Sequence, residues 1–403
     1  MVQRLRHSLP LQIIFCVVLG VALGLLFPNG QMKFASEIGK AVIHWVKLVA
    51  GPFLFLTVAA SIIEVRLTAG HGLRLIAIAL LNTAIAIVIG MGLARLFLEG
   101  VQVSALLNLG QVKPPDIQLS GDALIKTFMP QSLFAPLVQN EILLLALMAL
   151  VTGMAIRHAY GGEGAEKLRE IAGRFERVRA VPEVLLKWLI HAIPFAVLAV
   201  VSGSVSQNGL GIFVPLLRYI GVVIFGFCLQ VFLVYGFWIF IVARYSVREF
   251  FRIAEAPVTY AFGVNSSLAT LPLTLKALKE LKVSDRSASL GAGVATNLNN
   301  DGIVLYEAMA VFFIAQLSGI LMTEGQMLTA ALACIVASMG ITGIPEAGFI
   351  SLSVVVSTLG LPAEALPLLL AVDWMVARGR SVVNVLSDMT LSIALDATDR
   401  KMK

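Results

Sequence analysis

Apolar runs of about 20 residues, the length a helix needs to cross a bilayer, recur along this chain between short polar breaks. They predict spans at about 11–27, 36–64, 73–98, 131–158, 183–206 and 212–243. Alternating strand patterns are absent and the runs are too long for barrel strands, so the fold class is an all-α polytopic membrane protein. Residues 99–130 are polar, contain Pro114 and Pro115, and read as an external loop. Residues 159–182 read as an amphipathic cytoplasmic connector.

After residue 250 the pattern changes. Residues 251–283 hold two apolar arms around Asn265 to Pro272, and residues 326–360 hold two more around Gly340 to Gly348. Each arm is too short to span alone, and each tip is rich in helix-breaking Gly, Pro, Ser or Thr. Two re-entrant helical hairpins fit this pattern, because irregular backbone at membrane depth is tolerated only where it faces protein or a watery cavity. A pair of Gly-rich kinked spans is the plainer alternative. Each hairpin precedes a span with polar residues in its middle, 287–320 and 364–395. The unit occurs twice, and flanking charge puts one hairpin on each side. About eight transmembrane helices with an inverted repeat follow, the usual sign of a midplane site in secondary transporters.

Composition agrees with a membrane chain. Of 403 residues, 58% are hydrophobic and 13% charged, about half the charge of a soluble domain. The net charge of +6 reads through topology rather than as a nucleic-acid surface. Arg and Lys cluster at Arg4 and Arg6, Arg66 and Arg74, Arg157 to Lys187, Arg244 to Arg252, Lys276 to Arg286, and Arg400 to Lys403. The positive-inside rule places these loops and both termini in the cytoplasm, with the chain multi-pass in the inner (cell) membrane. Cys16, Cys228 and Cys334 show no metal or disulfide spacing. Residues 1–27 lack a small-residue cleavage site and read as a first span rather than a signal peptide. His191, before Pro194, reads as an interhelical histidine.

The last span carries Asp373, Ala377, Arg380, Asn384 and Asp388, spaced to form one helical stripe. Three charges there cost on the order of 9 kcal/mol of insertion free energy, so the stripe must face partners, ions or substrate. An internal salt-bridge brace is the bland reading. As a functional site, Arg380 is a bidentate clamp for a carboxylate. Asp301, Asp388, Asn299 and Asn384 are hard oxygen ligands, and carbonyls freed between Asn299 and Gly302 complete a cation cage. The Ser266–Ser267 tip offers hydroxyls and free N–H groups to an anion.

These residues resemble a known family, the dicarboxylate/amino acid:cation symporters, which include the glutamate transporters. The resemblance covers nearly the whole chain. It rests on SSLATLP at 266–272, NNDGIVLYEA at 299–308, GITGIPEAG at 340–348 and AVDWMVARGRSVVNVLSD at 371–388, with KLVAGPFLF around Pro52 and GLARLF at 92–97. It implies a homotrimer with a static scaffold (1–72 and 131–210) and a mobile transport domain moving as an elevator. That domain takes the helix and external loop of 73–130, the helix of 211–249, and a core of 250–403 with both hairpins. Arg380 then binds a side-chain carboxylate, and Asn384, Ser266 and Ser267, with Thr342 and Gly343, contact the substrate. Asn299, Asp301, Asn384 and Asp388 bind sodium, joined by Ala295, Asn82 and Thr83. The second hairpin, through Pro345 and Glu346, is the gate.

The departures from the family bear on substrate. The amino-acid transporters place an aspartate for the substrate ammonium where this chain has Ala377, and an unpaired ammonium in a closed site costs several kcal/mol. A C4-dicarboxylate such as succinate, malate or fumarate is therefore favoured. Asn300 and Ile303 replace a methionine and a threonine, Ile341 replaces a threonine, and Asn82–Thr83 replaces Thr-Ser, which puts one sodium site in doubt. Glu307 matches the proton-carrying glutamate of some members. It either carries a proton or pairs permanently with Arg378. Asn265 stands where others put an arginine. Glu346 either faces the external vestibule or replaces the missing acceptor, which would restore an amino-acid substrate.

The expected function is cation-coupled symport of a small dicarboxylate, with sodium, protons or both as coupling ions, no other cofactor and no nucleic-acid partner. Acidic amino-acid symport and an anion channel are the alternatives. No nucleophile–base pair, zinc triad or phosphate loop points to an enzyme.

Overall fold

The computed structural model describes residues 9–64, 69–99, 136, 142–294, 296, 299–339, 347–362 and 365–400. Those residues are helical almost throughout, with no strand among them. Helices α1 (Leu9–Leu26), α2 (Lys33–Glu64) and α3 (Ala69–Leu98) follow the first three apolar runs. The expected external loop at 99–130 lies outside the described residues apart from Glu99. Helix α4 is Ile142–Tyr160.

Helix α5, Ala165–Asn208, differs from expectation. The amphipathic connector and the next span form one 44-residue helix instead of two elements. It bends by 41° between Leu189 and His191. Pro194 lies inside the helix and has no N–H to donate to the carbonyl four residues back, at Ile190, so the ladder opens there without ending. Helix α6, Phe213–Leu229, continues through two wide π-type stretches, Gln230–Tyr235 and Phe237–Val242.

The first hairpin is α7 (Val247–Val264) and α8 (Ser267–Glu280). Its break is narrower than the sequence suggested. Asn265 takes a left-handed conformation, φ 54°, and Ser266 caps α8 by accepting from the Ala269 N–H. Pro272 sits inside α8 rather than in the break. A short helix α9, Asp285–Ala288, runs on as π turns to Val294, and α10 begins at Asp301. The second hairpin's arms are α11 (Glu324–Met339) and α12 (Ala347–Thr358), followed by the long α13 (Leu366–Arg400).

Two groups of helices result. Helices α1, α2 and α4 pack with α5, while α3, α6 and α10 pack around α13 together with both hairpins. Small residues serve the first group: a Cβ on Gly39 would stand 2.7 Å from the Ala196 carbonyl, and one on Gly203 2.6 Å from Ser36. Such close backbone approach is how helices associate where no hydrophobic effect separates them from lipid.

Among the described residues, Leu73–Leu98 and Gly209–Val242 are long and apolar enough to cross a membrane, and the bent α5 pair makes a third; the other described helices fall short of that measure. The hairpin arms are short, and α13 spends its length against protein rather than lipid, with Asp373, Arg380, Asn384 and Asp388 all buried. A helix sheltered in that way need not be uniformly apolar.

Candidate functional site

The stripe on α13 is the spine of the site. Asp373, Ala377, Arg380, Asn384 and Asp388 are all buried on it. Helical side chains lean toward the N-terminus, and Arg380 reaches back two turns to Asp373. Its two terminal nitrogens donate to the two carboxylate oxygens at 2.8 and 3.0 Å. The pair is almost dry, with side chains 4% and 1% exposed. The guanidinium also lies over the Tyr306 ring, 4.1 Å from its centroid. A Cβ on Gly348 would stand 2.5 Å from the Arg380 Cζ, so only glycine lets the start of α12 close over this cation. The bland expectation of an internal ion pair is thus met in part: Arg380 already holds a carboxylate in the planar, forked geometry that guanidinium favours.

A second, acidic cluster lies further along α13. Asp301, at the start of α10, is fully buried. Its Oδ1 accepts from the Thr83 hydroxyl at 2.9 Å. Its Oδ2 accepts from Ser387 at 2.7 Å, Tyr235 at 3.0 Å and the Gln230 amide at 3.5 Å. Asp388 accepts from Thr296 at 2.8 Å through Oδ2. Asn299 lies beside it and donates to the Ser387 hydroxyl at 2.8 Å. The two carboxylates are close enough to repel each other. No basic side chain bonds either one among the described residues. Asp388 Oδ1, Asn299 Oδ1 and Gln230 Oε1 are buried oxygens with no hydrogen-bond partner there. Asn82, expected as a cation ligand, instead accepts from the Trp238 indole at 2.8 Å.

Asn384 joins the two clusters. Its oxygen accepts from the Gly302 N–H at 2.9 Å and its amide donates to Asn300 at 3.4 Å. Gly302 is required: a Cβ there would stand 2.6 Å from the Arg380 carbonyl. At the first hairpin, the Ser381 hydroxyl donates to Asn265 at 2.9 Å, tying the tip to α13. Ser266 and Ser267 are half-buried beside it, and the Ser266 hydroxyl serves as the α8 cap.

The pairing of Glu307 with Arg378 is corrected. Arg378 donates to the Trp374 carbonyl on its own helix, at 2.6 Å. Glu307 is fully buried and faces Ser351 on α12 and Cys334 on α11, though neither reaches hydrogen-bond geometry with it. Arg378 instead folds back along its own helix onto a carbonyl one turn earlier. Ala295, Thr342, Gly343, Pro345 and Glu346 lie outside the described residues.

Sequence reasoning missed Gln230, Tyr235, Thr296, Tyr306 and Ser387. Gln230 left a signal, a lone amide in an apolar run. Ser387 neighbours Asp388. Tyr235 and Tyr306 left none, because aromatic residues in spans are common.

Comparison with known proteins identifies the family. The chain is 25% identical over 413 residues, 98% of its length and 93% of the relative's, to a proton/sodium-glutamate symport protein of Bacillus subtilis. It is 26% identical over 405 residues, 97% and 91% of the two lengths, to a C4-dicarboxylate transport protein of Cupriavidus taiwanensis. Excitatory amino acid transporter 3 of Mus musculus is 33% identical over 251 residues, 62% of this chain and 47% of that protein. The model of the sodium:dicarboxylate symporter family matches residues 9–398. A multi-pass, all-helical chain matched from end to end in this way belongs to the sodium:dicarboxylate symporter family of cation-coupled membrane transporters.

Proposed function

We propose that this chain carries a small C4-dicarboxylate together with cations, by moving the group of helices around α13 against the group around α5 as an elevator. The observation that carries the substrate class is the buried Arg380 guanidinium beside Ala377. It is held at the start of α12, already in carboxylate-binding geometry, and Ala377 offers no acceptor for an ammonium. A substrate carboxylate would share or exchange the place of Asp373. Asn384 and the Ser266–Ser267 tip supply donors for a second carboxylate.

Asn299, Asp301 and Asp388 are the proposed cation ligands. Two buried acids without a basic partner must take up protons or a cation, since uncompensated charge in a dry site is strongly unfavourable. Asp388 Oδ1 and Asn299 Oδ1 are free hard oxygens of the type sodium takes. Thr83 orients Asp301 rather than ligating through a spare oxygen. Glu307, free of Arg378, is the proposed proton carrier between the arms of the second hairpin, which is the proposed gate through Pro345 and Glu346. Only the first of the two expected polar-broken helices is broken, before α10, whereas α13 is continuous; the order of hairpin then polar-bearing helix, α7 to α10 and α11 to α13, is the support for an inverted repeat. The trimer, the inner-membrane location and the cytoplasmic termini belong to the same proposal.

Uptake of labelled succinate and aspartate into proteoliposomes, with sodium and proton gradients imposed separately, tests the reading. Succinate uptake driven by either gradient is expected. Uptake of aspartate alone would move the assignment to amino-acid symport, which the glutamate-carrying relatives favour and for which Glu346 would supply the acceptor. No driven uptake of either acid would refute both. Glu307→Gln should remove the response to a proton gradient while leaving any response to sodium.

A further inference from the structure

The break before α10 holds a buried carboxamide whose bonds reach two other elements. The Asn300 amide donates to the Ser338 carbonyl at 2.9 Å. Its oxygen accepts from Asn384 on α13, whose own oxygen accepts from the Gly302 N–H. Asn300 is 2% exposed and Ser338 is equally buried. Ser338 lies one residue from the end of α11. Carbonyls in that last turn lack intrahelical donors and form the negative end of the helix dipole. Buried, they require a donor or a cation. The Ser338 hydroxyl does not help, because it donates to Ile335.

We propose that Asn300 is a built-in substitute for a cation at this point. Its amide N–H, carrying partial positive charge, seats the end of α11 against the break and against α13 with no ion at the Ser338 carbonyl. The chain Gly302–Asn384–Asn300–Ser338 closes only when the broken span, the last helix and the first arm of the second hairpin are in register. Asn300 is therefore a positioning residue: it passes the state of Asn384, beside the carboxylate clamp, to the arm that covers the site. An apolar side chain there would leave the carbonyl to a cation. A carboxylate would demand one. That the arm is a gate rests on the transport reading above; the ion independence of its seating does not.

Hydrogen–deuterium exchange on the full-length protein in nanodiscs, without substrate, tests this. Sodium is compared with choline, and the readout is the amides of 333–339. In the native chain sodium should change their protection no more than it changes that of the α10 and α13 amides, which report sodium at the acidic cluster. Asn300→Leu should exchange about tenfold faster in choline, the worth of one buried hydrogen bond. Asn300→Asp should be protected only in sodium. Native protection at 333–339 that gains more from sodium than the α10 and α13 amides gain overturns the proposal, and so does an Asn300→Leu chain that exchanges like the native one. The native measurement decides the matter if either variant fails to fold. A failed uptake assay would remove the transport reading and leave this result standing.

Discussion

The two charged centres on α13 are built on opposite principles. At the Arg380 end the protein supplies its own counter-charge: Asp373 grips the guanidinium with two hydrogen bonds and the Tyr306 ring covers a face. At the Asp388 end two carboxylates meet, braced only by hydroxyls and amides, with three oxygens unbonded. A neutral pair can stay closed by itself. Two carboxylates cannot both stay ionised and dry without positive charge from outside, brought by a cation or by protons. On the proposed function, the contrast gives a physical reason for cations to enter first: they would relieve the acidic cluster before Arg380 exchanged Asp373 for a substrate carboxylate.

The largest test removes the self-compensation. Arg380→Ala leaves Asp373 buried and unpaired, and should lower stability by about 3–5 kcal/mol while abolishing carboxylate binding. Thermal unfolding and succinate binding measure the two effects. Adding Asp373→Leu should restore stability but not binding. Retained affinity in the single variant would end the role of Arg380 as clamp.

Removing one acid should do the reverse. Asp388→Asn relieves the repulsion, so in sodium-free buffer the variant should unfold at a higher temperature than the native chain. Its sodium affinity should fall roughly ten- to a hundredfold, as expected when a charged ligand becomes neutral. Sodium titration of the unfolding temperature reads both. A variant less stable than the native chain in sodium-free buffer would mean that the acidic cluster is self-sufficient too, and the contrast would be lost.

A smaller effect sharpens the picture at the Arg380 end alone. Tyr306→Leu removes the ring beneath the guanidinium, at a cost of about 1–2 kcal/mol. The half-saturating substrate concentration should rise, while Tyr306→Phe stays near native and the sodium titration is unchanged. The smallest concerns the first hairpin. Ser266→Ala removes the α8 cap and should cost about 1 kcal/mol, seen as faster amide exchange at 267–270.

Helix-level features were legible because they are periodic. The spacing of Asp373, Arg380, Asn384 and Asp388 is itself the helix period, so their common burial follows from the chain. The polar tips marked both hairpins. What could not be read were the partners across elements. Arg380 and Asp373 were visible as neighbours on one face, yet whether they bond depends on the dryness that α10 and α12 impose. Arg378, two residues away, offers the same charge and instead bonds its own backbone. Pro272 looked like part of a break and lies in the second turn of a helix, where tertiary packing must offset the missing donor.

Sequence by itself determined the class of the protein, the order of its helices, the two interrupted hairpins and the buried stripe. Those depend on hydrophobicity, period and breaking residues along one chain. Only the tertiary structure decided that Asp301 draws on Gln230 and Tyr235 from the π-type turns that continue α6. It also decided that Glu307 faces α11 and α12 rather than Arg378, and that Asn300 bonds Ser338. Each of these is a contact between residues far apart in the chain, fixed by how helices are rotated against one another, and no local pattern records that rotation.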